Sequence, residues 1–143
     1  MKLQHLSVFL ENKPGQLKDA CDLLAREEIN IQTLSLADTK QFGILRLIIK
    51  DWERAKSVLE QGGFVVKLTE VLAIEVSNRP GGLAEILGPI EAAKLNVEYM
   101  YAFSSARNDK AILVFRFSDV DSAIEKLKAA GVNMIDSVDL LAS

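Results

Sequence analysis

The chain has 143 residues, 49% of them hydrophobic and 26% charged, which fits one ordinary soluble domain or two small ones sharing a core. A net charge of −3 and a pI near 5.2 argue against nucleic acid as a partner, because phosphate binding is driven by clustered Lys and Arg. No apolar stretch approaches the roughly 20 residues of a membrane span, and the single cysteine, Cys21, rules out an internal disulfide. The first residues run straight into an alternating segment rather than a leader pattern, so a reducing, cytoplasmic location is expected.

Taken in chain order, the elements repeat. Leu6, Val8 and Leu10 alternate as in a half-buried strand. Asn-Lys-Pro-Gly at 12–15 turns the chain, and Leu17, Ala20, Cys21 and Leu24 follow at helical spacing. Asn30 is expected at the helix end, where Asn tolerates the left-handed conformation. Two strands are predicted near 31–37 and 43–50, then a helix carrying Ala55, Val58 and Leu59, closed by Gly63, and a last strand from Phe64. The second half runs the same way. Leu72, Ile74 and Val76 alternate, Asn-Arg-Pro-Gly occupies 78–81, and Leu83, Ile86, Leu87 and Ile90 are helical. Asn96 precedes strands near 97–104 and 110–117. A helix carries Val120, Ala123, Ile124 and Leu127, Gly131 closes it, and a strand starts at Val132.

An offset of 66 superposes Asn12 on Asn78, Pro14 on Pro80, Gly15 on Gly81 and Leu17 on Leu83, and carries 29–31 onto 95–97. Beyond the stretch between Leu36 and Gly43, which holds Asp38, Thr39 and Lys40 and whose counterpart is 104–110, the offset is 68, and Gly43 meets Ala111 and Gly63 meets Gly131. An indel is cheapest in such a polar hairpin. Each copy therefore reads βαββαβ. The fold class is α+β: two ferredoxin-like units, 1–70 and 71–143, packed side by side with antiparallel sheets and helices on one face. No Pro, Gly or Ser-rich linker interrupts 69–73, so the copies are expected to form one rigid body.

Asn-x-Pro-Gly-x-Leu after strand one, with Asn-Ile or Asn-Val opening strand two, resembles the ACT domain family of small-molecule sensors in amino-acid metabolism. The resemblance covers essentially the whole chain as two tandem units without a catalytic domain. It implies amino-acid binding where the strand-one turn meets a neighbouring unit. The matching positions are Asn12, Lys13, Pro14, Gly15, Gln16, Leu17, Asn30 and Ile31, and in the second copy Asn78, Arg79, Pro80, Gly81, Gly82, Leu83, Asn96 and Val97. Arg79 and Gly82 bring the second copy closer to the commonest form of the motif. The serine-responsive pattern has a His two residues before the Asn. Leu10 and Val76 stand there, which puts serine in doubt as the ligand.

Chemistry suits the resemblance. A turn into a helix N-terminus offers unpaired N–H groups to a carboxylate. An Asn amide donates and accepts, and glycines let a ligand approach the backbone. Asn12 or Asn78 with Asn30 or Asn96 of the facing unit would form a clamp, with Leu17 and Leu83 as an apolar wall. Equally, Asn12 and Asn78 suit Asx turns or N-caps, and Asn30 and Asn96 plain C-caps. Tyr99, Tyr101 and Phe103 share one strand face and suit a sheet or dimer interface better than an aromatic pocket. Cys21 is expected buried and inert. His5, the one histidine, supports neither a Zn site nor a triad, so no metal, cofactor or catalytic residue is expected.

The expected function is a non-catalytic amino-acid sensor acting on an enzyme or regulator in trans, with a homodimer suggested by open sheet faces and edges. The alternatives are an interaction module without a ligand and an acylphosphatase-like hydrolase using Arg79 and Asn96.

Overall fold

The structure, a computed structural model, describes residues 2–38, 42–103 and 109–141, with the Asp38 side chain left aside. The chain divides into a first unit, Gln4–Thr69, and a second unit, Glu70–Ser143 together with Met1–Leu3. Its elements are β1 (Leu3–Glu11), α1 (Gln16–Arg26), β2 (Thr33–Asp38), β3 (Phe42–Ile48), α2 (Trp52–Gln61), β4 (Val65–Ser77), α3 (Gly82–Ala92), β5 (Val97–Ala102), β6 (Lys110–Phe117), α4 (Val120–Ala129), β7 (Met134–Ile135) and α5 (Ser137–Leu141). The last strand of copy one and the first of copy two are the single strand β4, as the missing linker implies. Of the two indel hairpins, residues 39–41 and 104–108 lie outside the described residues.

The strand order is β2-β3-β1-β4 in the first unit, and β5-β6-β4-β7 in the second. These are the same ferredoxin-like order twice. In the first, β3 lies antiparallel between β1 and β2, pairing Leu6 with Leu47, Glu11 with Phe42 and Leu34 with Leu47. In the second, β6 takes that place, pairing Val76 with Ala111 and Ala102 with Leu113. The period of two then dictates the core. Leu6, Val8, Leu10, Leu45 and Leu47 meet Ala20 and Leu24 of α1 and Ala55 and Leu59 of α2. Leu72, Ile74, Phe115 and Phe117 meet Ile86, Ile90, Ala123 and Leu127. Cys21 is half-buried and free rather than fully buried, because Ala20 and Leu24 take the centre of the helix's inner stripe.

All four helices α1–α4 stop in the same way. A left-handed residue sits one past the cap, and the next N–H reaches back five residues: Ile29 to Leu24, Phe64 to Leu59, Leu95 to Ile90 and Val132 to Leu127. Gly63 and Gly131 fill that position as expected. In the other two helices the left-handed residues are Glu28 (φ 56°) and Lys94 (φ 55°). Asn30 and Asn96, expected there, lie two residues further on. Gly63→Ala is accordingly expected to cost about 1 kcal/mol by forcing a Cβ into the left-handed region. Glu28→Ala, which already bears that strain, is expected to stay within about 0.5 kcal/mol of wild type. Paired urea titrations check the contrast.

Candidate functional site

The turn after β1 is built by local geometry. Pro14 fixes its own φ, and Gly15 then takes φ 92° as the N-cap of α1; Gly81 takes φ 85° as the N-cap of α3. The N-cap positions belong to these glycines and not to Asn12 or Asn78, so the N-cap residue itself brings no side chain to the first-turn amides of either helix.

Beside the first turn lies a cleft of about 370 Å³, lined by Leu10, Glu11, Asn12, Lys13, Gln16, Leu17, Leu36, Ala37 and Gly43. Its polar rim holds opposite charges. Lys13 Nζ lies 3.2 Å from a Glu11 carboxylate oxygen, with both side chains more than half exposed. Such a pair is weak and exchanges partners readily. Lys18 is engaged elsewhere: its hydrogen bond to Asp22, 2.6 Å long, is the main cause that raises its pKa above the usual lysine value. The apolar floor comes from register. Leu10 pairs with Gly43 across β1 and β3, and a Cβ on Gly43 would stand 3.3 Å from Leu36 Cδ1, so glycine gives the Leu36 tip its room.

A larger cleft, about 530 Å³, lies across Glu11 and Gln16, which line both. Phe9, Phe42, Phe64, Val65 and Leu23 border it with Asp19, Arg26 and the Gly62–Gly63 backbone. Volume favours this one. Chemistry favours the smaller, which brings together the turn, a lysine, a carboxylate and an aliphatic floor.

A family model for the ACT domain pair matches residues 1–142. The chain belongs to this family. Protein BT0572 from Bacteroides thetaiotaomicron is 41% identical, with 98% of this chain and 96% of that one covered and a TM-score of 0.89. The ligand-free regulatory subunit of aspartate kinase from Thermus thermophilus shares the fold at 14% identity and a TM-score of 0.65, over 90% of this chain and 91% of that one. The corresponding subunit from Thermus flavus does so at 16% identity and a TM-score of 0.59, over 92% and 95%. No curated protein matches the chain.

In this ACT domain pair the expected site residues fall into separate places. Asn12, Lys13, Gln16 and Leu17 line the small cleft, with Pro14 and Gly15 shaping its turn. Asn30 lines a different cleft with Gln32, Lys50 and Arg54, and Ile31 packs on the core. Within the first unit the two sets stand at opposite ends of β3, whose seven residues span roughly 20 Å.

The second unit repeats the separation. Its turn, Asn78 to Leu83, lies at the Lys110 end of β6, where Asn78 N–H donates to the Asp109 carbonyl. Asn96 and Val97 lie at the Phe117 end. Asn96 Nδ2 donates to Ser118 Oγ at 2.9 Å, and Val97 packs on the core. The Arg79 guanidinium is ion-paired to Glu85. Within this unit Arg79 and Asn96 are roughly 23 Å apart along the strand, too far to work on one acyl phosphate.

Gly82 also has a packing role. A Cβ there would stand 1.9 Å from the Ser77 carbonyl oxygen, so the missing side chain lets the turn close on itself. Glu11, Leu36, Ala37 and Gly43 were not singled out from the sequence. Their signal is cross-strand register, visible only once β1, β2 and β3 are aligned. Among the described residues no group of three or more His, Cys, Asp or Glu is placed to hold a metal, and no helix is long and apolar enough to cross a membrane.

Proposed function

We propose that this protein is a non-catalytic sensor that binds a free amino acid at the β1–α1 turn and reports it to a cytoplasmic enzyme or regulator in trans. One observation carries the reading. The small cleft sets a lysine and a carboxylate in a weak, exposed pair over an aliphatic floor, at a helix start whose N-cap is a glycine. A zwitterion has the complementary groups: its carboxylate answers Lys13 and the turn amides, its ammonium answers Glu11, and its side chain takes the floor.

The report to the partner is ordinary linkage. A ligand that prefers one arrangement of the binding surface shifts the population toward it, and the partner reads the shift. The edge strand β2 carries Leu34 and Leu36 about half exposed, which supports a homodimer whose second copy covers this edge. Membership of the ACT domain pair family supports sensing over catalysis.

Charge reversal tests the site. Lys13→Glu is expected to weaken amino-acid binding at least about tenfold, since it replaces attraction for the carboxylate by repulsion, with little change in melting temperature at this exposed position. Titration calorimetry on both forms is the check. Equal affinities would move the site away from the turn.

A further inference from the structure

The two copies offer the same turn in chemically different surroundings, and register makes the comparison position by position. The pair Leu10–Gly43 corresponds to Val76–Ala111, and the pair Leu36–Leu45 corresponds to Ala102–Leu113. Glu11 and Lys13 correspond to Ser77 and Arg79. The second copy therefore has Ala102 in place of the Leu36 wall, a serine in place of the Glu11 carboxylate, and an arginine paired with Glu85, outside the equivalent of Glu11, in place of Lys13. Where Gln16 lines the first cleft, Gly82 is buried against the Ser77 carbonyl, and its N–H is 2.9 Å from the Arg79 carbonyl. The equivalent contact in the first turn, Gln16 N–H to the Lys13 carbonyl, is 3.5 Å. The first turn is the looser of the two, and the second is drawn tight.

We infer that the first unit alone carries the sensing site, that the second turn is a structural copy of it, and that the ligand is an α-amino acid with an aliphatic side chain of three or four carbons. The inference rests on the amino-acid reading above and names its unit and ligand class. Leu10, Leu17 and Leu36 meet the ligand side chain with hydrocarbon, while Ala37 and Gly43 leave the space a branched chain fills. The charged groups of this cleft, Glu11 and Lys13, are taken up by the ligand's own ammonium and carboxylate. A second charge on the ligand side chain would be set against the leucines and lose its water there. The motif's closer match in the second copy is accounted for differently: Arg79 and Gly82 serve that turn's own closure, through Glu85 and the Ser77 carbonyl.

Titration calorimetry on the full chain with alanine, valine, leucine, isoleucine, aspartate and lysine tests this. Affinity is expected to rise about fourfold per added methylene from alanine towards leucine. Leu36→Ala, at a position 53% exposed and so of little weight in folding, is expected to lower leucine affinity about tenfold and leave alanine affinity unchanged. Leu83→Ala, a second-copy control at the counterpart of Leu17, is expected to change neither. Tighter binding of aspartate or lysine than of leucine would overturn the ligand class and leave amino-acid sensing standing. Loss of leucine binding in Leu83→Ala but not in Leu36→Ala would overturn the choice of unit. Absence of binding by all six would overturn this inference, and extension of that result to the remaining amino acids would overturn the sensing reading with it.

Discussion

Gly82→Ala is expected to destabilise the second unit by about 3 kcal/mol, while Gln16→Ala at the matching position stays within about 0.5 kcal/mol of wild type. A Cβ 1.9 Å from the Ser77 carbonyl oxygen overlaps backbone, not the far end of a flexible side chain, so the turn itself must open. Opening it strains the short bonds Gly82 N–H to Arg79 and Arg79 N–H to Ser77, at 2.9 and 3.0 Å. It also shifts the start of α3, whose Ile86 and Ile90 belong to the second core. The chain supplies its own reporters. Both tyrosines, Tyr99 and Tyr101, lie in the second unit, and the one tryptophan, Trp52, packs on the core of the first. Urea unfolding followed by tyrosine signal should show the loss. A Gly82→Ala midpoint equal to wild type would mean that the second turn is not closed in this way.

Phe115→Ala is expected to cost about 3–5 kcal/mol, the range for deleting a buried aromatic side chain. Phe115 is fully buried, pairs across the sheet with Leu72 and Met100, and stacks on Phe117 with ring centroids 5.6 Å apart and 7° between planes. Its removal deletes both the transfer energy and the packing of that stack. Phe42→Ala is the contrast: at 50% exposure it is expected to cost under about 1 kcal/mol. Denaturant melts of both variants, read by far-ultraviolet circular dichroism, give the comparison. A Phe42 loss as large as the Phe115 loss would contradict the placement of the two rings.

Much of the fold is legible in the sequence because its determinants are local. Alternation at Leu6, Val8 and Leu10 and the helical spacing of Ile86 and Ile90 each need only neighbours in the chain, and duplication states every signal twice. Helix stops were less legible. A left-handed stop needs only one residue that tolerates it, and Glu28 and Lys94 do so under a five-residue back-bond that no composition rule marks. The five-residue helix α5 is too short to display a period. In the candidate site, the turn from Asn12 to Leu17 was legible from its motif. Leu36 and Gly43 were not, since only strand pairing sets them beside it. The role of Gly82 read one way from the motif and another from the Ser77 carbonyl that faces it, because close backbone approach leaves no trace in a sequence. Asn30 and Asn96 carried the motif's second half, yet within each unit a strand length separates them from the turn.

The most direct test of amino-acid sensing is a thermal-shift panel of the twenty amino acids at millimolar concentration on the unmodified chain. A ligand at about 100 times its Kd adds about 2.7 kcal/mol, which for a chain of this size raises Tm by roughly 5–10 °C. The predicted result is such a shift with aliphatic amino acids, cut to about half or less in Lys13→Glu at the same ligand concentration. A melting temperature that no amino acid moves would contradict the account.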